Sequence, residues 1–405
     1  MPLFMRVKPT QHTKLTSVLS PLDAQRSAAH QGKSLLFFSG GSALRSFCQP
    51  LMEATHNSVH LVTPFDSGGS SATIRRHFGL PGVGDIRNRL LALSHNMTQE
   101  QDVVARLLGY RLSSTAAQHV LREHLTSMAE GQDPLVRSLE IEKRQMFCHK
   151  MARVLQCLPE DFDLNGASIG NLLFVDTLCA GEDRLQCSID FFHQMLDIRG
   201  VVRPIVECNL QIAAELQDGS TVIGQHLLTA KETPALHSAI TKLYLCESEE
   251  NPEAVDCSLL SKNRAYIEQA DIICYPPGSF FTSIVANLLP VGVGDAVSRN
   301  PNPKVYIPNL GNDPEQLGMS LEDCVLTLIS YLRKHTEQPH PPAKYISTIL
   351  LDVNEKYYAG GIPFERLREL GVKVVQRDLV TMRSAPYYND ELLLKSVLDI
   401  CQDHS

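Results

Sequence analysis

Short, unbroken apolar runs alternate along this chain with longer stretches whose apolar residues recur at helical spacing. "SLLFFSGG" (residues 34–41) and "SVHLVTPF" (58–65) are too short for helices and close on Gly, Pro or a following Asp, so both predict buried strands. "SALRSFCQPLMEA" follows the first run with helix-compatible spacing, which Pro50 bends or ends. "GDIRNRLLALS" follows the second as another helix. Two strand-loop-helix units in succession predict a parallel sheet wound with helices.

From residue 97 to 158 the pattern changes. "EQDVVARLLGYRL", "TAAQHVLREHLTSMAE" and "DPLVRSLEIEKRQMFCHKMARVL" are charged and helix-like, which predicts an insertion of three helices standing on or over the sheet. "GASIGNLLFVDTLCA" and "RLQCSIDFFHQMLDIRG" then return as core-facing helices. "RPIVECNLQIAAEL" and "STVIGQHLLTA" flank Asp218-Gly219, a turn pair suited to positive φ, and predict an antiparallel patch. "ADIICYPPGS", "PKVYIPNL", "YISTILLD" and "LGVKVVQRDL" add four apolar strands before a last helix at "DELLLKSVLDICQ". The expected architecture is a single wound α/β domain over 34–405. It carries the helical insertion at 97–158 and follows an irregular lead-in at 1–33.

Composition narrows the function. The formal net charge of −8 argues against a nonspecific nucleic-acid binder. No run reaches the roughly 18 apolar residues that cross a bilayer, and the polar, proline-broken N-terminus does not resemble a secretory signal. Eleven cysteines without a CxxC pair fit reduced thiols in a cytoplasmic protein better than a disulfide framework.

The candidate chemistry lies where the strands end. Gly40, Gly41 and Ser42 follow the first strand; Asp66, Ser67, Gly68, Gly69, Ser70 and Ser71 follow the second; Gly278 and Ser279 follow "DIICYPP". In wound sheets ligands settle outside the carboxyl ends of strands. Glycines there admit a ligand to the backbone, and helix N-termini attract anions. Three such loops on one sheet could cradle a diphosphate. Neither GxGxxG nor GxxxxGK[ST] is present, which excludes the dinucleotide and Walker fingerprints. His119 and His124 are five apart, which excludes HExxH zinc chemistry, and Ser42 is not in a GxSxG elbow.

A carboxylate beside phosphate is repulsive unless a cation intervenes, so Asp66 is read either as a Mg²⁺ or acceptor-hydroxyl residue or as a cap on its own loop. Arg75, Arg76 and Arg87 are available to neutralise phosphate oxygens. Asp85, near Asn88 in "GDIRN", is an N-cap or a ligand-orienting group. Asn171, in a small-residue helix start, ties loops together or touches the ligand.

The ordered set "FFSGGSALRSF", "VTPFDSGGSSATIRRHFGLPGVGDIRNRLLALS", "GASIGNLL", "IRGVVRPI" and "ADIICYPPGSFFTSIVANLLPVGVGDAV" resembles the CofD-like family. That family includes 2-phospho-L-lactate transferase and the YvcK-type gluconeogenesis factors, and "DSGGSS", "GDIRN" and "PPGSFFTSI" lie closer to the YvcK branch. The resemblance spans about 34 to 390 and implies a Rossmann-like fold that binds nucleotides at its strand ends. In the transferase branch it implies transfer of a lactyl phosphate from a guanosine-diphosphate-linked donor to a deazaflavin alcohol with Mg²⁺. In the YvcK branch it implies UDP-sugar binding that regulates carbon use or cell-wall metabolism. By position, the family's first loop falls on Gly40, Gly41 and Ser42, and its acidic loop on Asp66 and Ser67. The second phosphate-side loop falls on Gly278, Ser279, Thr282 and Ser283, and a nucleotide-side asparagine on Asn309. The chain departs from the family pattern at Ala43 (for Gly), Ser67 (for Asp), Tyr388 (for an Arg-His-Asp motif) and "NDPEQL". The reading is therefore a nucleotide-diphosphate-binding protein that transfers a phosphate ester with Asp66 as catalytic and metal residue, or else a nucleotide-sugar sensor without chemistry. A homodimer is the expected assembly, and the helical insertion is the candidate lid or protein-partner face.

Overall fold

The computed structural model describes residues 32–94, 98–176, 184–229, 234, 236–311, 313–336 and 338–403. The expected irregular lead-in lies almost wholly outside them, as does residue 97, the expected start of the insertion. Ten strands occur in chain order: β1 (Leu35–Ser39), β2 (Ser58–Val62), β3 (Val201–Pro204), β4 (Gln211–Leu216), β5 (Thr221–Ile223), β6 (Ile240–Cys246), β7 (Ile272–Tyr275), β8 (Lys304–Tyr306), β9 (Thr348–Asp352) and β10 (Lys373–Arg377). Seven form one sheet in the order β10-β9-β8-β7-β1-β2-β3, and every pairing is parallel. β1, β2, β7 and β9 are buried along their whole length. Helices covering both faces of a parallel sheet explain why these strands read as continuous apolar runs rather than alternating ones.

Topology positions the site. The chain builds outward from β1 through β2 to β3, then returns to the other side of β1 as β7 and continues to β10. Adjacent connections therefore diverge at the β1/β7 seam, the switch point at which wound sheets open a crevice.

The smaller sheet, β5-β4-β6, is antiparallel. Its β4–β5 turn contains Gly219 at φ 86°, and Asp218 accepts from the amide and hydroxyl of Ser220. The antiparallel reading needs correcting in its extent. "RPIVECNLQIAAEL" divides between the two sheets, because Arg203 and Pro204 belong to β3, paired in parallel with β2. "QHLL" is a short helix (Gln225–Leu228), not strand: Gly224 at φ 106° turns the chain out of β5.

The stretch expected to be a helical insertion contains helices Gln99–Gly109, Gln118–Ala129 and Ile141–Cys157, with a one-turn helix at Pro134–Arg137. A capping box between Thr98 and Gln101 starts the first, as that residue pair favours. Val104, Leu107, Leu125, Phe147 and Met151 share one apolar cluster with Ile86, Leu90 and Val202. The insertion is thus packed on the β2–β3 half of the molecule.

Two further expectations are corrected. "SALRSFCQPLMEA" is helical only over Cys48–Ala54, because Leu44 takes φ 64° in the preceding turn. Pro50 then falls in the first helical turn, where its missing N–H has no partner to lose. The expectation of reduced thiols fails at Cys208 and Cys257, which pair as a disulfide across 49 residues. Cys48, Cys246 and Cys274 are free and buried, as expected of small apolar residues. Among the described residues no helix is long and apolar enough to cross a membrane.

Candidate functional site

At the end of β1, Gly40 and Gly41 are buried and have no room for a side chain. A Cβ on Gly40 would lie 2.4 Å from Ser283 Oγ, and one on Gly41 2.5 Å from Asp85 Oδ1. Their lack of Cβ lets three loops close on one another. Arg89, fully buried, fixes the turn by donating through Nη2 to the carbonyls of Gly40 and Ala43, each at 2.6 Å. Sequence reasoning missed this residue. The signal was an arginine on the apolar face formed by Ile86, Leu90 and Leu93, where a charge must have buried partners.

Asp66 closes β2 and is half-buried. It accepts from Gly68 N at 3.2 Å and packs so closely on Gly84 that a Cβ there would fall 1.9 Å from Asp66 Oδ2. Next to it, the Ser67 hydroxyl meets His226 Nδ1 at 2.8 Å and accepts from His226 N at 3.2 Å. His226 and Gln225 come from the short helix after β5 and were not foreseen. Asp85 makes no N-cap bond, since the helix Gly84–Ala92 is preceded by Val83. Its Oδ2 instead accepts from Gln225 Nε2 at 3.2 Å. The capping reading is therefore corrected, and Asp85 faces the β1 turn.

Several predicted contacts turn out to hold the loops. The helix Gly69–Phe78 starts inside the Gly-Ser run, with Gly69 exposed at φ 48°. Ser70 is buried, and its Oγ accepts from Ser168 N and Asn171 Nδ2, at 3.3 and 3.0 Å. Ser71 Oγ accepts from Gly84 N. Asn171 thus ties loops together, the first of its two readings, and Ser70 faces inward rather than toward a ligand. Arg75 is buried and donates to Phe65 O, Asp66 O, Leu210 O and Asn209 Oδ1. It braces the β2 loop instead of balancing phosphate charge, and burial lowers it to about 10. Arg76 is exposed, Arg87 is buried, and Asn88 is half-buried with its Oδ1 accepting from Arg87.

Beyond β7 the loop is held by a reciprocal amide pair. Gly278 N donates to Asn309 Oδ1, and Asn309 Nδ2 donates to Gly278 O, both at 2.8 Å. Ser279 is half-buried and precedes a π-helical turn, Phe280–Val285. The amides opening that turn are already capped. Phe280 N donates to Asp313, while Phe281 N, Thr282 N and the Thr282 hydroxyl donate to Glu315. Thr282 is fully buried, so it and these amides are corrected from ligand contacts to internal supports. Burial first, then Asp313, pushes the Glu315 carboxyl up to about 7.

Between the β1 and β7 ends lies a cleft of about 630 Å³, whose lining includes Ala43, Leu44, Gly278, Asn309, Tyr387 and Tyr388. This volume suits a nucleotide-sized ligand. Tyr388, at the position expected to hold a basic residue, donates its hydroxyl to Pro308 O, and Tyr387 stands exposed at the rim. Gly278 and Asn309 therefore line the cleft. Gly40, Gly41, Asp66, Asp85 and Ser283 gather beside it, across the β1 turn. Ser42 is exposed on that turn, and Gly68 is half-buried beside Asp66. Among the described residues no group of three or more His, Cys, Asp or Glu is arranged to hold a metal.

The family model for 2-phospho-L-lactate transferase CofD matches residues 35–380. The gluconeogenesis factor of Bacillus subtilis strain 168 is 28% identical over 388 residues, covering 91% of this chain and 98% of that protein. That of Listeria monocytogenes is 30% identical over 275 residues, covering 67% of this chain and 65% of its own length. A solved structure from Bacillus halodurans, a member of the UPF0052 family, superposes with a TM-score of 0.63 at 21% identity, over 91% of this chain and 99% of that one. The chain belongs to the CofD family, on the side of its gluconeogenesis-factor relatives.

Proposed function

We propose that this protein binds a nucleotide diphosphate carrying a further group, a UDP-sugar or a GDP-linked donor, across the β1/β7 switch point. The observation that carries this reading is the 630 Å³ cleft at that seam, lined by Ala43, Gly278 and Asn309. It sits where a wound sheet binds nucleotides. The base lies against the Leu44, Tyr387 and Tyr388 side, and the diphosphate crosses toward the Gly40-Gly41 turn and its neighbours Asp66 and Asp85. In the transfer reading, Asp66 orients the hydroxyl of an acceptor, and catalysis rests on positioning and fixed charge rather than on a strong nucleophile.

Asp66 and Asp85, both half-buried at the edge of the β1 turn, are the residues that would hold a Mg²⁺ ion, which takes one or two carboxylates together with waters and substrate phosphates. When bound there, the ion supplies neutralisation of diphosphate charge. A second reading, a nucleotide-sugar sensor without chemistry, draws support from Ser67. This serine replaces the family's second carboxylate and is engaged by His226, which leaves the acidic loop short of one metal ligand. The relatives' name, gluconeogenesis factor, connects that reading with carbon metabolism.

The test is a thermal-shift panel of UDP-, GDP- and CDP-linked ligands with and without Mg²⁺, on wild type and Asp66→Asn. At 100 times its dissociation constant a ligand adds about 2.7 kcal/mol to stability. A shift with one nucleotide class is expected in both proteins. Mg²⁺ is expected to enlarge the shift in wild type only. No shift with any of the ligands would refute the binding reading, and an intact ligand after long incubation with acceptor alcohols selects the sensor over the transferase.

A further inference from the structure

The small sheet is rooted in the segment 205–210, which runs from β3, at the edge of the large sheet, to β4. One end of that segment is tied to the large sheet, with Ile205 N donating to Val62 O at 2.9 Å. The other end is tied to the acidic loop. Asn209 Oδ1 and Leu210 O accept from Arg75 at 3.0 and 2.6 Å, and Arg75 Nη1 donates to Phe65 O and Asp66 O at 3.2 and 3.3 Å. Between these ties Cys208 is bonded to Cys257. Cys257 is fixed to the body of the molecule: its carbonyl accepts from Val291 N at 2.8 Å, and Leu259 N donates to Val291 O at 3.0 Å. The far end of the small sheet also reaches the acidic loops, through Gln225 on Asp85 and His226 on Ser67. The disulfide thus crosses the root of an element that grips those loops at both ends.

The bond is open to attack. A cavity of about 420 Å³ lies beside it, with a lining that includes Arg184, Glu207, Cys208, Ser258 and Leu259. Cys208 is half-buried on that wall, whereas Cys257 is buried, so a thiolate enters at the Cys208 sulfur. Arg184 places a cation on the approach, and a nearby cation favours the thiolate form of an incoming thiol. Thiol–disulfide exchange requires such access. In a reducing compartment an accessible disulfide opens and closes rather than persists.

We propose that the Cys208–Cys257 bond is a redox latch on the acidic loops, opened by a dithiol reductant. A thiolate of the reductant attacks Cys208 Sγ, the S–S bond breaks, and the Cys257 sulfur leaves and takes up a proton. The second thiol of the reductant then attacks the mixed disulfide, which releases Cys208 as a thiol and closes the reductant's own disulfide. Two electrons and two protons pass to the protein. Closed, the bond holds the segment 205–210 where Arg75 reaches it. Open, it removes a cross-link that spans 49 residues, and the small sheet loosens on Asp66, Ser67 and Asp85. The latch acts on these loops whatever ligand they meet, and does not depend on the nucleotide proposed above.

Hydrogen exchange is measured on the full chain, oxidised with glutathione disulfide or reduced with dithiothreitol, while alkylation and mass spectrometry locate the disulfide. Oxidised wild type is expected to show Cys208 and Cys257 joined. Reduction is expected to speed exchange at residues 65–68, 208–212 and 225–229 on the order of tenfold and to leave 304–306 and 348–352 unchanged. Reduction also opens the disulfide at Cys187, so Cys208→Ser and Cys257→Ser isolate the latch. Each variant is expected to exchange at these loops like reduced wild type in either buffer. Free thiols at Cys208 and Cys257 in the oxidised protein overturn the proposal. So does equal exchange of the two states at the acidic loop, or a reductant effect that persists undiminished in the serine variants. Where a variant folds poorly, partial reduction of wild type decides: exchange at the loops must follow loss of the Cys208–Cys257 bond, and exchange that tracks Cys187 instead refutes the latch.

Discussion

At Glu315, burial and hydrogen bonding pull one carboxyl in opposite directions. Two amides and a hydroxyl donate to it, which favours the charged form, yet desolvation and the nearby Asp313 outweigh them and raise it to about 7. An ordinary glutamate in the unfolded chain titrates near 4.3. The folded state therefore binds the proton more tightly. The stability this gives is complete below the unfolded value and is lost as pH rises through the folded one. Between pH 4.5 and 7 the loss amounts to on the order of 3 kcal/mol at about 1.4 kcal/mol per unit. Glu315→Gln, which mimics the protonated form, removes this slope. Urea denaturation of both proteins at several pH values measures it, and parallel curves would show that Glu315 does not titrate in that range. Residue identity in the candidate site was legible in the sequence where chemistry is rare: Asp66 and Asn309 stand in strand-end loops, and Asp85 in the first turn of the helix Gly84–Ala92. The direction each side chain faces was not. Ser70, Thr282 and Arg75 carry ligand-binding chemistry but are spent on internal partners, and only the three-dimensional neighbours Asn171, Glu315 and Leu210 decide that.

At the scale of elements, close approach governs. The helices Val293–Arg299 and Leu321–Arg333 meet at Gly294, where a Cβ would fall 1.8 Å from the carbonyl oxygen of Leu332. That oxygen belongs to backbone and cannot rotate away. Gly294→Ala gains up to about 1 kcal/mol of helix propensity but must separate the helices, so a net loss on the order of 1–3 kcal/mol is expected. Gly311→Ala is the control, with nothing within 4 Å of its Cβ position; its urea midpoint is expected to stay near that of wild type. The strands were readable because burial on both faces leaves no polar positions to confuse the pattern: β1, β2, β7 and β9 stand where the apolar runs do. The region around β3 and β4 was harder. Asp218-Gly219 marks a turn, but a turn signal does not say which sheet receives the strand before it. β6 passed unremarked because the exposed pair Thr241-Lys242 directly after Ile240 cuts its apolar run to the four residues Leu243 to Cys246.

For the whole molecule, the β1/β7 seam joins residues more than 230 positions apart, and no local pattern announces that Leu35 pairs with Ile272. The site therefore has two halves from distant parts of the chain. The turn after β1 comes from one half, and the loops after β7 and β8 with the segment around Tyr387 come from the other. A ligand filling the cleft must contact both, whereas a ligand bound only at the acidic loops touches Gly40, Asp66, Asp85 and their neighbours Gln225 and His226. Hydrogen exchange separates these cases. With saturating UDP or GDP, protection is expected at residues 40–46, 276–281, 309–311 and 386–390 together, because ordering one half without the other leaves the cleft open. The outer helices of the insertion, Gln118–Ala129 and Ile141–Cys157, pack on each other away from the seam, and their exchange is expected to stay unchanged. Protection limited to the β1 and β2 loops would move the nucleotide out of the seam and onto the acidic side.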